Sequence, residues 1–151
     1  MKLETRLFGA IEYDADDVIS FPSGLPSFED ETKFLLLPLG PSANDPLYLQ
    51  SVTTPALAFV MMNPFSLKPD YAPKLRPREL KDLQVSRDED LCFYVLCAMK
   101  RPVETSTVNL KCPIAFNPDI RVAYQVILDT DDYNMRHPLS EFSQSKGDAT
   151  C

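Results

Sequence analysis

Fourteen of the 151 residues are proline, about 9% against a usual value near 5%, and this cuts the chain into short pieces. Proline fixes φ and carries no N–H, so no long helix runs through such a sequence. Between the prolines the apolar residues recur with period two. Leu3, Thr5 and Leu7 alternate with Lys2, Glu4 and Arg6, the pattern of a half-buried strand. Val18–Pro22, Lys33–Leu39, Leu47–Val52 and Ala56–Met62 read as further strands, the last two separated at Pro55. Leu91–Met99 (LCFYVLCAM) is a continuous apolar run of strand length, as expected for a strand buried on both faces. Thr107–Lys111 alternates again. In Arg121–Leu128, Val122, Tyr124, Val126 and Leu128 form one face and Arg121, Ala123 and Gln125 the other. One stretch reads as helix: Arg76–Leu83, with Pro77 in the first turn and Leu80 and Leu83 three apart. These signals predict a mainly β fold, a small antiparallel barrel-like or sandwich domain with one short helix over residues 1–139. Residues 140–151 (SEFSQSKGDATC), with Phe142 as their single large apolar residue, read as a flexible tail.

A chain of this length buries roughly 68–70% of its unfolded surface, so its core needs neither disulfide nor metal. Asp plus Glu number 22 and Lys plus Arg 15, a net charge of −7. That balance disfavours direct nucleic-acid binding and an electrostatic hold on an anionic membrane. Four glycines exclude a Gly-rich phosphate cradle. The longest uncharged stretch, Pro46–Leu67, is interrupted by Pro55 and rich in polar residues, which argues for two strands rather than a membrane span. The N-terminus lacks the apolar run of a signal peptide. Cys92 and Cys97 are spaced too widely for a zinc pair and face opposite sides of a strand. With Cys112 and Cys151 they read as thiols of a reducing cytosol, and no metal or cofactor is expected. Asp14-Ala15-Asp16-Asp17 and Asp129-Thr130-Asp131-Asp132 lack the Gly and distal Glu of an EF-hand loop. The single histidine, His137, is the only His base available for nucleophilic catalysis. A small hydrolase would need His137, Tyr133 and an acid to converge, and nothing in the sequence requires that.

What remains are surfaces. Acidic residues cluster at Asp14, Asp16 and Asp17, at Glu29, Asp30 and Glu31, and at Asp131 and Asp132. The one basic stretch, Lys68–Arg87, is cancelled by Asp88-Glu89-Asp90. The turn Phe21-Pro22-Ser23-Gly24-Leu25-Pro26-Ser27-Phe28 admits two readings. Its apolar residues fold back on the core, the stronger of the two, or Leu25 and Phe28 form an apolar binding loop.

Four segments in order, FPSGLPSFED at 21–30, LQS at 49–51, VNLKCPIAFN at 108–117 and QVIL with YNMRHPL at 125–139, resemble the FliW family of flagellar assembly factors. Two departures stand out: Ser27 where the family usually has Gly, and Cys112 where it usually has Ala. The resemblance implies a β-barrel-like cytoplasmic monomer with no catalytic activity and no cofactor. Such proteins bind newly made flagellin and also CsrA, a small dimeric RNA-binding repressor of flagellin translation, and the two partners compete. The expected CsrA surface is acidic: Asp14, Asp16, Asp17, Glu29, Asp30 and Glu31, with Asp131 and Asp132 second. The expected flagellin surface is Leu25 and Phe28. Alternatives are a structural flagellar component and a small hydrolase using His137.

Overall fold

The computed structural model describes residues 1–6, 8–42 and 45–142. Eleven short strands carry the fold among them: β1 (Lys2–Thr5), β2 (Gly9–Glu12), β3 (Ile19–Ser20), β4 (Lys33–Pro38), β5 (Leu47–Ser51), β6 (Ala58–Met62), β7 (Cys92–Ala98), β8 (Thr107–Val108), β9 (Ile114–Asn117), β10 (Val122–Gln125) and β11 (His137–Pro138). Strands β1 and β2 form a separate hairpin, with Phe8 edge-on to Tyr48 at 5.4 Å between ring centroids. Strands β3, β4, β5, β6, β7, β9 and β10 pair in that order, and β10 returns to β3, which closes a seven-stranded barrel. The closing seam is narrow. It is one parallel pair, Val122 opposite Ser20, whereas β4 and β5 pair antiparallel over five positions. Strand β7 splits its second edge, with Cys92–Tyr94 against β9 and Cys97–Ala98 against β8, which in turn pairs with β11.

The alternation in the sequence sorts side chains into two cores. Ile19, Phe34, Leu49, Met61, Ile114, Phe116 and Ala123 fill the barrel, each strand contributing, with Cys92, Tyr94 and Leu96 of β7 packed beside them. The opposite faces of β7 and β10 build a second core outside it: Phe93, Val95 and Cys97 with Val122, Tyr124, Val126 and Leu128. The run 91–99 is therefore covered on both sides, and Cys92 and Cys97 lie in different cores. The outer core is roofed by residues 63–91 and 126–142. The first of these carries α1 (Pro64–Leu67), capped by Asn63 Oδ1 at 2.9 Å from the Phe65 N–H, and the expected helix, α2 (Pro77–Asp82). Leu67, Tyr71, Leu75 and Leu83 point from this roof into the core. A buried Asn117 ties roof to barrel, its Nδ2 donating to the Leu83 carbonyl at 2.7 Å.

Three strands escape the alternation rule. β2 is largely exposed; β9 is four buried residues between Pro113 and Pro118; β11 is a two-residue edge. Of the expected tail, Ser140–Phe142 belong to a 3-10 turn (Leu139–Phe142) whose Phe142 is buried in the outer core. The rest, 143–151, lies outside the described residues, as does Cys151. No helix among the described residues is long and apolar enough to cross a membrane.

Candidate partner-binding surface

The loop between β3 and β4 is shaped by two left-handed residues. Gly24 has φ 64° and packs so closely on Glu29 that a Cβ there would lie 2.5 Å from its carbonyl oxygen. Only glycine fits that approach. Ser27 has φ 70°, a conformation that glycine adopts without cost, so the backbone is strained there. Between these two bends, Leu25 and Phe28 bond to each other, the Phe28 N–H donating to the Leu25 carbonyl at 2.7 Å and the Leu25 N–H returning at 3.2 Å.

This tight turn sends its two apolar residues in opposite directions. Leu25 is 2% exposed and belongs to the barrel core. Phe28 is 38% exposed and stands edge-on against Phe59 at 5.3 Å. Leu25 thus folds back and Phe28 alone stays at the rim. Next to Phe28 opens a groove of about 380 Å³, lined also by Leu25, Phe59, Leu96, Ile127 and Met135, with Asn109 and Gln125 among its polar residues. The last two are each 55% exposed. Three large apolar side chains half open to solvent around one groove are the mark of a partner surface. Reading along the chain missed Ile127 and Met135. The available signal was Ile127 itself, an isoleucine just beyond β10 in the alternation set of Arg121, Ala123 and Gln125.

The acidic residues come from three separate segments. Asp14, Asp16 and Asp17 lie in an exposed 3-10 turn before β3, where Asp17 Oδ2 accepts the Asp14 N–H at 2.9 Å and Arg121 Nη2 donates to the Asp17 carbonyl at 2.7 Å. Glu29, Asp30 and Glu31 follow β3 and lead into β4, whose Lys33 pairs with Ser20. The first cluster thus precedes β3 and the second follows it. Glu29 and Asp30 are exposed beside Phe28, and Glu29 accepts the Ser27 N–H at 3.1 Å. Glu31 is only half-buried but engaged, its two oxygens accepting the hydroxyls of Ser51 and Thr54 and so tying the loop to the β5–β6 turn. Asp131 and Asp132 are exposed on the segment that leads to Met135.

The catalytic alternative loses its base. His137 is 8% exposed; its Nε2 accepts the Asn134 N–H at 2.8 Å and its Nδ1 faces Glu141 Oε2 at 2.9 Å. An imidazole with both nitrogens committed has no lone pair to offer a substrate. Tyr133 is buried, and its hydroxyl accepts the Ala72 N–H at 3.0 Å, away from His137. Burial pushes the thiols of Cys92, Cys97 and Cys112 up, the opposite of what a nucleophile needs. Among the described residues no group of three His, Cys, Asp or Glu is placed to hold a metal ion.

A sequence model of the FliW protein family matches residues 2–139. The chain belongs to the FliW family. It is 39% identical over 139 residues to a flagellar assembly factor FliW of a Geobacillus strain, covering 92% of this chain and 95% of that one. FliW of Oceanobacillus iheyensis is 31% identical over 150 residues, 98% of this chain and all of its own. A crystal structure of the flagellar assembly factor FliW superposes with a TM-score of 0.84 at 37% identity, over 92% of this chain and 96% of that chain. The mainly β architecture is thus that of a solved FliW.

Proposed function

We propose that this chain is a cytoplasmic, non-enzymatic flagellar assembly factor that works by occupancy as a monomer. It binds newly made flagellin and, when flagellin is exported, sequesters CsrA and so relieves repression of flagellin translation. What carries the reading is its end-to-end similarity to proteins named flagellar assembly factors. The closed hydrogen bonding of His137 and the apolar groove favour binding over chemistry.

In this reading the groove beside Phe28 receives flagellin, and Leu25 acts from beneath by fixing the loop. The acidic surfaces serve CsrA: the net charge of −7 speeds encounter with a basic RNA-binding protein and then repels phosphates beside it. The turn holding Asp14, Asp16 and Asp17 is the leading surface, because all three are exposed, whereas Glu31 is half-buried and holds the loop to the β5–β6 turn. Glu29 and Asp30 follow Phe28 along the chain, and Asp131 and Asp132 precede Met135.

The test is a pull-down from cytosol with the purified chain, probed for flagellin and CsrA and repeated with both purified partners in competition. Capture of each partner, and displacement of one by the other, is the expected result. Capture of neither sinks the reading. Reversing Asp16 and Asp17 to Lys is expected to slow CsrA association at low salt, and an unchanged on-rate removes that surface. A structural flagellar component would instead fractionate with assembled filaments.

A further inference from the structure

The barrel closes through a single residue pair, and this leaves a backbone edge open beside the groove. Along 122–128 the even-numbered residues direct their backbone groups toward β9 and its extension: the Val126 N–H donates to the Pro113 carbonyl at 3.0 Å and the Leu128 N–H to the Lys111 carbonyl at 2.9 Å. Strand geometry then turns the N–H and C=O groups of Gln125 and Ile127 the other way. On that side β3 reaches no further than the bridge at Val122, where the Ser20 N–H donates to the Arg121 carbonyl at 2.9 Å, and at Phe21 the chain leaves to bond the Thr32 carbonyl at 2.8 Å. Among the described residues no backbone group pairs with the edge at Gln125 and Ile127. Gln125 Oε1 is also buried without a partner there, while its Nε2 is held by the Cys112 carbonyl at 3.0 Å.

Two cavities flank this edge on opposite faces of the strand. On the inner face lies the apolar groove with Phe28, Ile127 and Met135. On the outer face, between α2 and Ser23, lies a polar cleft of about 240 Å³ with Arg78, Glu79, Asp82 and Tyr124. Gln125 borders both. An extended segment laid along the edge sends alternate side chains to opposite faces, so one set meets the apolar groove and the other the polar cleft.

From this we infer that the edge of β10 and its continuation, Gln125 to Ile127, is a strand-addition site for an extended partner segment in which apolar residues alternate with basic ones. The apolar positions fill the groove between Phe28 and Met135. The basic positions meet the outer cleft, where Glu79 and Asp82 stand against Arg78 alone. The chain's own residues 143–151 (SQSKGDATC) carry no large apolar side chain and do not match that pattern. The inference rests on the reading of the chain as a binding protein and adds to it the mode of recognition.

The probe is a synthetic peptide of alternating Ile and Lys, beside a peptide of the same composition with the Ile residues in one block, each titrated into the full-length chain. Amide hydrogen exchange is read at Gln125 and Ile127. Expected are at least tenfold slower exchange at both amides with the alternating peptide, and weaker binding of the blocked one. Ile127→Pro removes the edge N–H but none of the bonds to 111 and 113, and Ile127→Ala removes the side chain and keeps the N–H. The proline variant should bind the alternating peptide at least tenfold more weakly than the alanine variant. Equal binding by the two variants, or unchanged exchange at both amides in the unmutated chain, overturns the inference, and the exchange arm stands even if the proline variant fails to fold. Protection of these amides in the chain alone, with a dimer seen by sedimentation, also overturns it by making a second copy the occupant. Loss of flagellin and CsrA capture in the pull-down is a separate result and bears on the functional reading.

Discussion

The barrel interior and the outer core are built from the same strands but closed in different ways. Inside, the seven strands supply both wall and filling, and Phe34, Leu49 and Met61 are fully buried by their own sheet. Outside, β7 and β10 supply only a floor, and the roof comes from short helices and irregular segments that bring Tyr71, Leu83 and Phe142 down onto it. A strand face is closed by neighbours of period two, whereas a roof of loops needs polar ties to hold its backbone in place. Asn117 and Tyr71 are such ties. Tyr71 donates its hydroxyl to the Leu110 carbonyl at 2.7 Å, and Asn117 reaches the Leu83 carbonyl. The roofed flank therefore adds side-chain hydrogen bonds to its packing, as Glu31 does with Ser51 and Thr54 at the β5–β6 turn.

Four changes probe that contrast. Phe34→Ala, which empties a position in contact with Phe21 and Phe59, is expected to cost about 3–5 kcal/mol in denaturant unfolding. A loss near 1 kcal/mol would mean that the interior is not the main store of stability. Asn117→Ala leaves the Leu83 carbonyl without its donor and is expected to cost about 1–3 kcal/mol. Amide exchange should accelerate over 77–85 more than in β4 and β5. Uniform acceleration would mean that roof and barrel open as one unit.

The third test is alkaline. Burial first, then the neighbouring Tyr133 and Cys112, push the Tyr71 hydroxyl well above its ordinary value. The neutral phenol is therefore favoured in the folded state. Its contribution is complete below the unfolded value near 10 and is lost as pH rises past that point toward the folded value. Unfolding free energy should fall above about pH 10, and Tyr71→Phe should flatten that fall at some cost near neutrality. An unchanged alkaline limb in the variant would place the titrating group elsewhere. The smallest effect is at Ser27. Replacing it with Gly relieves the left-handed backbone, against the entropy that glycine gains when unfolded, and is expected to stabilise by roughly 0.5–1 kcal/mol. A destabilised Ser27→Gly would show that the serine is held by more than its backbone.

How far the sequence could be read depended on how many faces a strand buries. β7 was legible because an unbroken apolar run of that length, too short for a buried helix, fits a strand covered on both faces. β9 was not: its four residues lie between Pro113 and Pro118, and with Ile114 and Phe116 inside and Ala115 outside they show no alternation to detect. The helix at 77–82 was signalled by its proline and leucines, while α1 is a single turn made by Asn63 and Pro64 that leaves no period at all. At the candidate site Phe28 was visible in its proline-rich turn. Ile127 and Met135 were not, because they stand about a hundred residues away and each is unremarkable among its own neighbours.

Period, charge and punctuation are local properties, and they were enough to set the class of fold, the absence of long helices, the acidic surface and the family to which the four motifs point. The division of Leu25 from Phe28 and the open edge at Gln125 and Ile127 depend on which strands become neighbours. Pairing across ninety or more residues, such as Ser20 with Val122, is settled by the closing of the barrel as a whole. No window of the chain contains it, because the energy that selects it is shared among all seven strands.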